Sequence, residues 1–172
     1  TAASGGVPPS QIEKAQTALS NMVRSWQQNK QACTAQTGDF NICYTPGGLA
    51  FLTKWGSLRH VGNIALITSV VAAATTTSDP VSTRTNRCWA RSQMMYAAGS
   101  NPAGQSFIVG YAGGSQSATS PHHRSSSCDP NYAVTCDYGL AWNNQGPNPS
   151  VLKGALVGGP SNQDMFQNDR QD

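Results

Sequence analysis

Apolar positions fall into three periodic blocks, each with a readable start or stop. The first block follows "PPS". Ile12, Ala15, Leu19, Met22 and Trp26 recur at steps of three and four, the stripe of an amphipathic helix. Ser10 is placed to cap it, and Glu13 three residues later completes a capping box. The pattern fades at Asn29–Lys30. The second block starts near Ser57 and runs through Val61, Ile64, Ala65, Ile67 and Val71 to about Thr75. It is apolar on nearly every face, which predicts a helix buried between other helices. The third opens at "SDP". Asp79 can cap and Pro80 suits the first helical position. It continues through Cys88, Trp89, Met95 and Tyr96 to Ala98, and Gly99 stops it.

Beyond Gly99 the pattern changes. Residues 100–150 are rich in Gly, Ser, Asn and Pro and carry no helical period. They also hold Phe107, Tyr111, Tyr132, Tyr138 and Trp142, more aromatics than a disordered linker carries. We read this stretch as an ordered, functional loop region. "VLKGALVGGP" (151–160) predicts a short helix or turn ending in glycines. There is no internal repeat and no low-complexity tract. The expected fold is all-α, with long loops gathered at one end. Helices alone leave a bundle and part of an α/α barrel equally open.

Length and composition narrow the function classes. The chain has 172 residues, enough for one domain with a real core. Charged residues make up 11% of it, against about 25% in a typical soluble domain. Asn, Gln, Ser, Thr and Gly fill the difference, a composition suited to neutral polar ligands or to proteins outside the cell. The net charge is +3, and the 11 basic residues are scattered. That argues against a nucleic-acid surface or a polybasic membrane patch. No apolar run reaches the roughly 18 residues of a membrane span. The best candidate, "VGNIALITSVVAAA" (61–74), carries Asn63, Thr68 and Ser69. The start, "TAASGGVPPS", lacks the basic region and apolar core of a signal peptide. A mature, truncated or cytosolic chain is open on that count.

Five cysteines bear on the compartment: Cys33, Cys43, Cys88, Cys128 and Cys136. The spacings of Cys33 with Cys43 and of Cys128 with Cys136 suit short disulfide-closed loops, which favours an oxidising environment. Cys88 is left over beside Trp89 and is expected to be a buried free thiol. Zinc is disfavoured, because no C-x2-C pair is present and the histidines lack ligand spacing.

Three segments could carry chemistry. "SPHHRSSSC" (120–128) joins His122, His123 and Arg124 just ahead of a cysteine. Imidazole offers a base or an acceptor and arginine a fork of donors, a set suited to a polyol or a carboxylate. "YTPGGLAFLTKWGSLRH" (44–60) brings Trp55, Arg59 and His60 to the start of the second helix. Trp55 and Arg59 would share a helix face if the first turn included Trp55, and an indole face stacks on the C–H face of a sugar. Trp55 in the core with Arg59 paired to a carboxylate is the equal alternative. "GGPSNQDMFQNDRQD" (158–172) holds three of the chain's eight carboxylates, Asp164, Asp169 and Asp172, near Arg170. A frayed polar terminus competes there with a site. A calcium loop is conceivable, but the spacing does not fit an EF-hand.

Taken in order, four stretches resemble the C-terminal half of the glycoside hydrolase family 9 catalytic domain, the cellulase family of α/α-barrel endoglucanases. They are "YTPGGLAFLTKWGSLRH", "SQMMYAAGSNPAGQSFIVGY", "PHHRSSSC" and "GPNPSVLKGALVGGPSNQDMFQNDRQD". The resemblance runs from Tyr44 to the end, and the "HHRSSSC…C" form is closest to the animal and related eukaryotic branch. It implies a portion of an (α/α)6 barrel with long loops at its cleft face. Residues 1–172 would be one segment of the catalytic domain. It also implies a secreted endo-β-1,4-glucanase that cleaves cellulose with inversion, using a carboxylic acid and a carboxylate base.

Carried over by position, Trp55, Arg59, His60, His122 and Arg124 would contact cello-oligosaccharide or β-1,4-glucan. His122, Asn168 and Asp169 would lie in the catalytic part of the cleft, and Cys128–Cys136 would anchor the histidine loop. No cofactor is called for, although calcium in a longer parent protein stays open, as does the oligomeric state.

The sequence departs from the family in places. The family's Asp-Ala-Gly-Asp type motif, which holds the base, is absent. Its proton-donating glutamate would fall beyond Asp172, and the aspartate of the last motif is replaced by Asn168. Ala112 stands where family members have Gly, and the loop from Gly113 to Ser120 is long. The 172-residue chain alone is therefore expected to be inactive. A non-catalytic β-glucan-binding or structural relative is the alternative.

Overall fold

A computed structural model of the chain describes residues 7–28, 30–111, 116–117, 128 and 148–167. Helix α1 spans Pro9–Gln28, α2 Ser57–Ala74 and α3 Pro80–Ala97. Among the described residues four two-residue strands sit in the loops: β1 (Cys43–Tyr44), β2 (Ala50–Phe51), β3 (Gln105–Ser106) and β4 (Gln116–Ser117). β1 and β2 form an antiparallel hairpin with Cys43 opposite Phe51, and β3 and β4 pair in parallel. α2 packs chiefly on α3 and more lightly on α1.

The helix limits follow their local chemistry. The Asp79 side chain accepts from the Ser82 N–H at 3.0 Å, and Pro80 opens α3, as expected of a cap and a first-position proline. Gly99, at φ 123, lets the chain leave α3. α1 opens two residues earlier than the capping box predicts. Pro9 is already helical, and Pro8 C=O accepts from Gln11 and Ile12. Ser10 therefore lies inside the first turn.

The faces differ more. On α1 only Val23 and Trp26 are buried, while Ile12, Ala15, Leu19 and Met22 are exposed. α2 is buried on one face, through Leu58, Val61, Ile64, Thr68 and Ala72; Leu66 and Val70 on its other face meet solvent. Its 18 residues have a mean hydropathy of 1.2, yet Arg59, His60 and Asn63 and its packing on α3 mark it as a core helix. The inner face of α3 is half polar: Thr83, Asn86 and Gln93 alternate with Ala90 and Ala97 at steps of three and four, and Tyr96 is buried beside them. Cys88 falls off that stripe and is exposed, not buried.

The core gathers Trp26, Leu49, Leu58, Val61, Tyr96 and Phe107, each large side chain contributing about 1.5–3 kcal/mol by leaving water. Phe107 is donated to the core by an extended segment after α3. Its N–H bonds Ala97 C=O at 2.8 Å, and its C=O accepts from Val157 at 3.0 Å. Val109 and Ala155 continue that pairing. The 151–160 stretch is thus a turn at Lys153–Gly154 followed by extended chain, not a helix.

Candidate functional site

The β1–β2 hairpin carries the chain toward Trp55, and buried polar groups fix it to the helices. Gln93, only 2% exposed, reaches from α3 with both ends of its amide. Its Oε1 accepts from Ala50 N–H at 2.8 Å, and its Nε2 donates to Gly48 C=O at 3.1 Å. The Tyr44 hydroxyl donates to Trp26 C=O at 2.8 Å and accepts from Trp89 Nε1 at 2.8 Å. One phenol thereby joins α1, β1 and α3. Burial raises its pKa above the usual tyrosine value, which keeps the proton it donates.

The last segment docks where α2 begins. Gly56, left-handed at φ 63, precedes the helix without a side-chain cap. The partners come from the far end of the chain. Leu58 N–H donates to Gly158 C=O at 3.0 Å, and Ser57 Oγ donates to Pro160 C=O at 2.9 Å. Gly159 permits this approach: at φ 106, a Cβ would lie 2.5 Å from Leu58 Cγ.

Residues 161–165 then turn tightly, with Ser161 N–H bonded to Met165 C=O. Asp164 sits at the turn with φ 60. Its Oδ1 accepts from the Tyr96 hydroxyl and its Oδ2 from Gly47 N–H, both at 2.5 Å. Asn162 and Gln163 donate to Thr34 and Cys33 carbonyls. Phe166 meets Phe107 edge-on, with centroids 4.9 Å apart. Residues 158–166 are held by α2, α3, the hairpin and the Cys33–Cys43 loop, so that part of the last segment is no frayed tail, and Asp164 serves the packing.

Two of the three sequence segments therefore converge. Trp55 is 62% exposed. It lies before α2 rather than in its first turn, so helical spacing does not set its relation to Arg59. Among the described residues the Arg59 guanidinium meets His60, with Nη2 3.4 Å from Nε2, and no carboxylate. Burial, and secondarily the Arg59 charge, lowers the pKa of His60. A neutral His60 whose Nε2 accepts and whose Nδ1 carries the proton fits that contact. An indole face, a guanidinium and a neutral imidazole suit a neutral polyhydroxy ligand.

His122, His123, Arg124, Asn168, Asp169, Arg170, Asp172 and Cys136 lie outside the described residues. Cys128 is disulfide-bonded, as is Cys33 with Cys43. Among the described residues no group of three or more His, Cys, Asp or Glu could hold a metal ion. Sequence reasoning missed Gln93, Tyr44 and the anchoring role of Asp164. Only Gln93 had a signal: a polar residue in step with Ala90 and Ala97.

The model of the family described as "Glycosyl hydrolase family 9" matches residues 4–172. The chain belongs to glycosyl hydrolase family 9. Among its relatives is Endoglucanase 13 of Oryza sativa subsp. indica, 34% identical over 157 residues, covering 81% of this chain and 24% of that protein. Endoglucanase A of Bacillus pumilus is 39% identical over 135 residues, covering 76% of this chain and 18% of that protein. The chain spans a quarter or less of either relative.

Two solved structures extend the comparison. The endoglucanase of the termite Nasutitermes takasagoensis superposes with a TM-score of 0.66 at 36% identity, covering 93% of this chain and 32% of that one. The endoglucanase CelQ of Clostridium thermocellum, complexed with cellobiose and cellotriose, gives 0.62 at 30% identity, covering 96% and 24%. The fold is thus a portion of the family 9 (α/α)6 barrel. A closed barrel flanks each helix with others, which accounts for the uncovered apolar side chains on α1 and α2.

Proposed function

We propose that this family 9 chain is part of a secreted endo-β-1,4-glucanase that cleaves cellulose with inversion. The observation that carries the reading is the docking of residues 158–167 against α2, which brings the last motif to the element bearing Arg59 and His60, with Trp55 just ahead of it. The Cys33–Cys43 disulfide supports secretion. Cello-oligosaccharides in the CelQ complex support the substrate class.

In this reading Trp55 stacks on a glucosyl ring. Arg59 donates to ring hydroxyls, and neutral His60 presents a donor and an acceptor. His122 and Arg124 hold the sugar next to the scissile bond, and Asn168 and Asp169 stand near it. Inversion needs a general acid on the leaving oxygen and a base on a water, roughly 6.5–9.5 Å apart. The matching carboxylates belong to motifs that these 172 residues do not contain. Positioning of the sugar is what this segment contributes, and alone it does not turn over.

A second reading, a non-catalytic glucan-binding relative, is favoured by Asn168, since an amide cannot carry the aspartate's charge. Viscometry of carboxymethylcellulose separates the two. The intact protein carrying this chain lowers the viscosity and the isolated 172 residues do not. Binding of cellohexaose without cleavage by the intact protein supports the second reading, and neither binding nor cleavage overturns both.

A further inference from the structure

Phe40 is exposed and backbone-strained at the same time. It is 76% exposed, and its φ of 67 lies in the left-handed region, where a bulky side chain is a genuine outlier. Gly38 stands only two residues away, so the loop holds a glycine yet places an aromatic at the strained position. The ring adds nothing to the core, to which neither Phe40 nor Asp39 belongs.

The surroundings hold that stretch of backbone in place. Phe40 lies within the loop closed by Cys33–Cys43. Its N–H donates to Leu52 C=O at 2.7 Å, just beyond the Cys43–Phe51 pair of the β1–β2 hairpin and out of register with it. The neighbouring Asp39 Oδ1 accepts from Lys54 N–H at 3.0 Å. These two bonds fasten Phe40 to the very segment that ends in Trp55. Two exposed aromatic rings are therefore carried on adjacent, mutually bonded stretches of backbone, both outside the packed interior.

We propose that Phe40 is a sugar-stacking residue that extends the Trp55 platform outward, so that the site prefers longer β-1,4-glucan chains. The proposal rests on the glucanase reading above and deepens it. An apolar ring carried on a fixed backbone and open to water offers the C–H face of a pyranose a partner, and the strain is tolerated because the disulfide and the two backbone bonds over-determine the loop. Only a ligand with glucosyl units at both rings gains from both. Chain-length selectivity is therefore the signature.

The backbone supplies its own control. Phe40→Gly removes the ring and relieves the strain together, so a loss of binding with an undiminished unfolding temperature points to the ring rather than to a disturbed loop. Calorimetric binding of cellohexaose and cellotriose to the intact protein, run at a pH or temperature where turnover is negligible, tests it. Expected for Phe40→Gly is a cellohexaose affinity lower by roughly twofold to tenfold, a smaller loss for cellotriose, and an unfolding temperature equal to or above that of the wild type. Phe40→Trp restores the long-chain preference. Equal losses for the two oligosaccharides, or none, overturn the role of Phe40 while the parent reading stands. A wild-type protein that binds neither oligosaccharide overturns both.

Discussion

The Tyr96 hydroxyl donates to the Asp164 carboxylate at 2.5 Å, joining α3 to a turn 68 residues further along the chain. Burial, reinforced by that carboxylate, pushes the Tyr96 pKa far above the usual tyrosine value, so the phenol stays protonated and keeps donating. Because Gly47 N–H takes the other oxygen, one side chain fastens the last motif to both α3 and the hairpin. Removing the donor with Tyr96→Phe should cost about 1.5–3 kcal/mol, the range for a hydrogen bond to a charged group. Urea denaturation checks it. Asp164→Asn should also destabilise, since one end of an amide presents a donor to a donor. A double-mutant cycle showing no coupling between Tyr96 and Asp164 would contradict the pairing.

Gln93 makes a second such clamp. Its replacement by Leu leaves Ala50 N–H and Gly48 C=O without their partner in a buried place. A loss of about 1–3 kcal/mol per unsatisfied group is expected, together with faster amide exchange at Ala50. Wild-type stability in Gln93→Leu would mean that the hairpin does not depend on this residue.

The Cys33–Cys43 bond closes a loop with a sequence separation of 10. Chain-entropy arguments assign such a loop on the order of 2–3 kcal/mol. Reduction by dithiothreitol should lower the melting temperature and free the Phe40 loop. A melting temperature indifferent to reductant would show that packing of Cys33, Cys43 and Phe51 suffices.

His60 gives a pH dependence with a definite sign. Its folded pKa lies below the ordinary 6.5 because burial, and then Arg59, disfavours the imidazolium. The folded state thus binds its proton less readily than the unfolded one. Stability from this group is complete above pH 6.5 and falls as pH drops through the folded pKa. Titration of the ring C–H resonances should give a midpoint below 6.5, and Arg59→Ala should raise it only part of the way, since burial is the larger cause. A midpoint at or above 6.5 would contradict the arrangement.

The start of α2 and the limits of α3 were legible because caps and stops are local. Asp79, Pro80 and Gly99 announce α3 whatever it packs against, and Ser57 opens α2 as read. Which face turns inward was much less legible. α3 buries Thr83, Asn86 and Gln93, so half its stripe is written in polar residues that a search for apolar period passes over. α1 and α2 leave apolar side chains open, since a portion of a barrel need not cover every flank. Strands of two residues are too short to show alternation, and the hairpin was missed for that reason. Asp164 looked like part of a polar tail because its partners, Tyr96 and Gly47, are remote in sequence. The family was legible for the opposite reason: four motifs in order carry it, and each is read without knowing the contacts.

The most direct test of an inverting glucanase is the anomeric form of the first product. Proton NMR can follow cellohexaose as it is cleaved by the intact protein that carries this chain, before mutarotation mixes the anomers. Inversion at a β-linkage by an acid–base carboxylate pair releases the α-anomer first, and that is the expected result, with cleavage slowed by Arg124→Ala and Arg59→Ala. Initial release of the β-anomer, or an intact oligosaccharide after prolonged incubation, would contradict it.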